Sequence, residues 1–165
     1  MRTKLLLLMA LVILGVVNYA VWQKERVLAG GRTVLLELAP VDPRSLMQGD
    51  YMALNYRLAG DIRTSLDERS ADGLAVVELD DQMRAVFRHV QHANAPLQAN
   101  QALIQFRKRG SAVRIGAESF FFEEGQAMIY EDAKYGELKV ADNGEVILVG
   151  LRDGALSPMG TRLVN

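Results

Sequence analysis

The sequence predicts a mainly β domain, a small barrel or sandwich of about eight short strands, preceded by one N-terminal transmembrane helix. Three observations predict it. Leu5 to Val17 is an unbroken apolar run, Tyr51 to Leu58 alternates with period two, and Asn143-Gly144 separates two β-type runs near the end of the chain.

The apolar run continues through Asn18-Tyr19-Ala20-Val21-Trp22 before Lys24, Glu25 and Arg26. Residues 5–22 in a helix rise about 27 Å, close to the roughly 30 Å of a hydrocarbon core. A cleaved signal peptide would need small residues at −3 and −1 of the cut. Cutting after Ala20 puts Asn18 at −3, and Ala29 with Val27 lies beyond the charges. The stretch therefore reads as an uncleaved anchor over residues 1–26, its lipid contact running through 5–22, with one extracytoplasmic domain over 27–165. Arg2 and Lys4 precede the span while Lys24, Arg26 and Arg32 follow it, so the positive charges are nearly balanced. The short leading tail favours a cytoplasmic N-terminus at the inner membrane, with Tyr19 and Trp22 at the outer interface.

Within the domain, Val34 to Ala39 is a short strand closed by Pro40 and Pro43. In the next strand, over 50–58, Met52, Leu54, Tyr56 and Leu58 share one face, and Tyr51, Ala53, Asn55 and Arg57 the other. Leu74 to Leu79 and Met83 to Val90 form a hairpin around Asp80-Asp81-Gln82. Ala102 to Phe106 and Ala112 to Ile115 form another around Gly110-Ser111. Gly136 to Ala141 and Glu145 to Val149 close the set, with Asn143 and Gly144 expected to supply positive φ at both central turn positions. Helix signals are confined to a short turn within 60–73 and one or two turns within 123–134.

Charge and cysteine content exclude several functions. With 19 basic and 20 acidic side chains interspersed, there is no field to hold nucleic acid; the densest basic run, Arg107-Lys108-Arg109, reads as a solvated strand end. The absence of cysteine removes disulfides, thiolate metal sites and a cysteine nucleophile. His89 and His92 point to opposite sides of a strand and lack a third ligand, so no metal site or cofactor is expected. Glu123, Glu124, Glu131 and Asp132 read as a solvated acidic rim, not as a cation site or an acid–base pair.

Gly49-Asp50-Tyr51-Met52-Ala53-Leu54-Asn55-Tyr56 spells G-D-Y-x-x-L-x-Y. This resembles the GDYXXLXY family of membrane-anchored bacterial proteins. A second block, Glu118-Ser119-Phe120-Phe121-Phe122-Glu123-Glu124-Gly125-Gln126 followed by Tyr135-Gly136-Glu137-Leu138, is similar to the same family, and the likeness spans roughly 33–151. Glu123 stands where the resemblance implies proline or another small residue. The resemblance implies a multi-pass membrane protein as partner and names no reaction.

In physical terms Gly49 permits a tight turn, Asp50 accepts backbone N–H bonds there, and Leu54 and Tyr56 point to the core, with Gly125 and Gly136 as further structural positions. The functional expectation is a binding surface of Asp50, Tyr51, Glu124, Tyr135 and Glu137. The stretch before the motif admits a different chemistry. Pro43 to Asp50 is faintly similar to the P-T-L-x-x-G-D segment of membrane-bound signal peptidases, with Ser45 at the threonine. The nucleophile's place there falls on Val41, so a Ser-Lys hydrolase would have to use Ser45 activated by Lys108. The expected function is an accessory or binding module in a membrane complex, with the anchored hydrolase as the alternative.

Overall fold

The computed structural model describes residues 2–39, 47–48, 51–67, 71–91 and 95–160, and positions 2, 47 and 48 by their backbone alone. Helix α1 runs unbroken over Arg2–Gly30. The apolar run is exposed on every side, and the helix is long and apolar enough to cross a membrane. Among the described residues two shorter helices follow, α2 (Arg57–Ser65) and α3 (Ala127–Tyr130). All other regular structure among the described residues is β, as the alternating patterns predict.

The strands form three sheets. The first orders β1 (Arg32–Glu37), β9 (Tyr135–Val140), β10 (Val146–Arg152) and β11 (Pro158–Met159). The second orders β2 (Met47–Gln48), β3 (Tyr51–Ala53) and β8 (Ser119–Phe121). The third orders β5 (Ala85–Val90), β4 (Gly73–Leu79), β6 (Gln101–Arg109) and β7 (Ala112–Arg114). There are more strands than the eight expected, because two- and three-residue strands leave no readable period.

Backbone hydrogen bonds stitch the sheets together: Leu35 N–H to the Met83 carbonyl (2.8 Å), Ala39 N–H to Asn55 (2.7 Å) and Gln105 N–H to Gly144 (2.8 Å). All three sheets contribute to one core that includes Val34, Leu36, Phe120, Leu138, Val77, Ile104 and Phe106. Burying several large side chains in one place is what stabilises a domain of this size.

Two local expectations are corrected. The strand expected over 50–58 ends at Ala53, and Leu58 lies in the first turn of helix α2. Leu58 fits both periods: it continues the alternation of Met52, Leu54 and Tyr56, and it stacks one turn before Ile62, the other buried residue of α2. The turn joining β9 to β10 is also longer than two residues. Gly144 N–H bonds the Ala141 carbonyl (2.9 Å) and Ala141 N–H bonds Glu145 (2.9 Å). Gly144 alone takes positive φ, +83°, while Asn143 does not and instead accepts the Glu145 N–H on its side-chain oxygen at 3.0 Å. This is the three-residue loop with a left-handed glycine, not the two-residue turn. Gly144 is further constrained because a Cβ there would lie 2.8 Å from the Leu74 side chain.

Candidate functional site

Strand β3 pairs antiparallel with β8, matching Tyr51 with Phe121, Met52 with Phe120 and Ala53 with Ser119. Leu54 N–H extends the pairing to the Glu118 carbonyl at 2.8 Å. The two sequence blocks, separated by more than sixty residues, therefore form one structural unit. Alternation sends Met52, Leu54 and Tyr56 inward, where all are buried. Phe120 turns inward with them and meets Tyr130 edge-on at 5.0 Å, and Tyr130 stacks on Phe122 at 5.3 Å.

Tyr56 explains its own motif position. Its ring is buried, its hydroxyl donates to the Ala117 carbonyl at 3.1 Å, and burial pushes its phenol well above the ordinary range. The ring lies so close to Gly136 that a Cβ at that position would stand 3.0 Å from Tyr56 Cε1. Gly136 is thus the space into which the motif tyrosine packs.

The opposite face is different. Tyr51 lies 5.7 Å from Phe121 between ring centres, and Phe121 is 70% exposed. The following turn presents Glu123 and Glu124, with Gly125 at φ +83°. Glu123 builds this turn despite its size: its carbonyl accepts the Gln126 N–H (3.1 Å) and its carboxylate the Gln126 side-chain amide (2.9 Å). Helix α3 then exposes Met128 and Ile129. Large exposed apolar side chains gathered in one short segment suit contact with another surface.

Other expected site residues lie elsewhere. Gly49, Asp50, Ser45 and His92 fall outside the described residues. Tyr135 is half-buried near Arg84, whose guanidinium is held above its ordinary range first by the Asp80 carboxylate and then by Tyr135. Glu137, expected on the binding surface, is buried at 5% exposure and ion-paired with Arg152 at 2.9 Å. The reason is visible in the register. Glu137 shares a face with its buried cross-strand neighbour Leu35, and Arg152 of β10, which pairs with Tyr135 two residues away on that face, reaches diagonally across it to the carboxylate. Arg152, which also donates to the Leu156 carbonyl at 2.6 Å, is a structural residue that sequence reasoning missed, since nothing in its neighbourhood distinguishes it from a solvated arginine.

Lys108 donates its ammonium to the Asp67 carbonyl at 2.8 Å and its backbone N–H to Asp72 at 2.8 Å, tying β6 to the segment before β4. His89 is exposed on β5, and Glu131 and Asp132 are exposed after α3. Among the described residues no three His, Asp or Glu side chains gather as metal ligands would.

The junction with α1 completes the site's surroundings. Tyr19 and Trp22 lie 5.9 Å apart, and the Arg26 guanidinium sits 4.7 Å over the Trp22 ring. One turn on, Val27 is buried, Gly31 N–H bonds its carbonyl at 2.8 Å, and Lys24 pairs with Glu145 of the β9–β10 loop. A cleft of about 730 Å³ lies between this last part of the helix and the loop.

Comparison with known proteins gives a family. The model described as GDYXXLXY protein matches residues 13–151, beginning inside α1 and ending in β10. No curated protein matches the chain, and no solved structure does.

Proposed function

The chain belongs to the GDYXXLXY family, and from that premise we propose that it is a single-pass inner-membrane protein whose extracytoplasmic β domain acts as an accessory module in a complex with a multi-pass membrane protein. The observation that carries this reading is the junction. Helix α1 enters the domain without a linker, and Val27 and the Lys24–Glu145 pair fasten its end to the β9–β10 hairpin. A domain held this near the bilayer is suited to partners that themselves lie in or on the membrane. The outward pair Tyr51 and Phe121, with Met128 and Ile129, supplies apolar surface that the fold leaves open.

An affinity pull-down of the tagged full-length protein from mild-detergent membranes tests this, with a version lacking residues 1–26 beside it. A stoichiometric multi-pass protein retained by the full-length chain, and lost on Phe121→Ala, supports the accessory role and the surface. Recovery of the chain alone from both versions refutes it.

A further inference from the structure

Beside the helix–domain junction a second cleft, of about 410 Å³, opens between the end of α1 and the β6–β7 hairpin. Its walls carry Lys24, Arg107, Arg109 and Arg114, together with Glu118 and Glu145. The arrangement follows from strand geometry. Ala102, Ile104 and Phe106 take the inward positions of β6, so Arg107 and Arg109 both face outward. The β6–β7 register then sets Arg114 directly across from Arg107. Read along the sequence, the basic run is only a strand end; folded, it gains Arg114 from the neighbouring strand and Lys24 from the helix.

Like charges directly opposed on one face of a sheet repel. Three of the four cations have carboxylate partners: Lys24 has Glu145, Arg109 has Asp72 at 3.1 Å, and Arg114 has Glu118 at 3.1 Å. Arg107 is exposed and has no hydrogen-bond or ion-pair partner among the described residues. An anion seated between Arg107 and Arg114 would relieve their repulsion, and the planar guanidinium fork matches phosphate oxygens in particular. Lys24 lies two residues beyond Trp22, a rise of about 3 Å, so the cleft opens at the level of the lipid headgroups.

We propose that this cleft binds a phosphate group, and that its occupant is the headgroup of an acidic phospholipid in the leaflet from which α1 emerges. The inference rests on the membrane reading above, since only a chain inserted through α1 holds the cleft at that depth. The neighbouring Glu118 and Glu145 keep the site from becoming a general polyanion surface: a single phosphate fits the one unpartnered arginine.

The test uses the full-length protein in detergent, with phosphatidylglycerol or phosphatidylcholine added and retained lipid counted by native mass spectrometry. Preferential retention of phosphatidylglycerol is expected, weakened roughly tenfold in Arg107→Gln/Arg114→Gln. Circular dichroism confirms that the variant is folded, and Arg107→Lys, which keeps the charge but loses the fork, should retain an intermediate amount. Equal retention of the two lipids, or a preference unchanged in the double variant, overturns the proposal. Inorganic phosphate provides the second arm: a thermal midpoint raised by phosphate but not by phosphatidylglycerol overturns the lipid as occupant. Carbonate extraction of cell membranes examines the anchor separately. A chain released to the supernatant overturns the membrane reading and the lipid with it, whereas a carbonate-resistant chain without lipid preference overturns the cleft alone.

Discussion

The two faces of the β3–β8 pair carry the same kinds of side chain to opposite ends. Inward, Phe120 and Tyr56 are buried against Tyr130 and Gly136, and the Tyr56 hydroxyl is satisfied by a backbone carbonyl. Outward, Tyr51 leans on a Phe121 that is largely exposed. Adjacent residues of one strand therefore answer to different demands. The inward face makes the two motif blocks a structural unit, and the outward face is free to meet something else. A motif read as a single functional string would miss this division.

Adjacent alanine substitutions break the comparison most sharply. Phe120→Ala should cost about 3–4 kcal/mol of unfolding free energy through the cavity it leaves, while Phe121→Ala should stay within about 0.5 kcal/mol. Denaturant titration of the detergent-solubilised protein measures both, and equal losses would mean that the two faces are not distinct.

Glu137→Ala comes next. It strands Arg152 in a poorly hydrated position and should cost about 2–3 kcal/mol, with Glu137→Gln losing less. If Glu137 acts inside the fold, as its burial indicates, the glutamine variant keeps its partner in the pull-down although its melting point falls.

Tyr56→Phe removes one internal hydrogen bond and should cost about 1 kcal/mol at neutral pH. The Tyr56 phenol is raised by burial, so the stability it supplies is complete below the unfolded value of about 10 and is lost as the pH rises beyond it. The phenylalanine variant should lose part of that alkaline decline, which a melting series at high pH detects.

The smallest effect is at Asp80, on the turn between β4 and β5. Burial opposes ionisation of its carboxyl, but the Arg84 N–H and guanidinium and the Gln82 N–H outweigh it and hold the group below the usual carboxylate range. Its contribution is present above the unfolded value of about 4 and disappears as the pH falls through the lower folded one. Asp80→Asn should lower the melting point slightly at neutral pH and flatten its dependence in acid.

Much of this architecture was legible in local patterns. The helix of α1, the three hairpins and the buried set Met52, Leu54, Tyr56 and Leu58 follow from period and turn chemistry alone. What escaped was decided by pieces distant in sequence. Glu137 reads as outward because it alternates with Leu138, and only the pairing that sets Leu35 beside it and the reach of Arg152 across the face bury it. The basic cleft likewise exists only once β7 and α1 are set beside β6. The Asn143-Gly144 turn failed for a subtler reason: the same dipeptide serves two loop lengths, and the contact of Gly144 with Leu74 and Gln105 belongs to the longer one.

The continuity of α1 has one more consequence. A helix advances about 100° per residue, so in the single-pass arrangement proposed above a rod that joins bilayer to domain without a swivel converts residue count into compass bearing. Adding one residue to the span would turn the domain by more than a quarter circle while lifting it only about 1.5 Å. Azimuth, far more than altitude, is the quantity that the length of this helix controls.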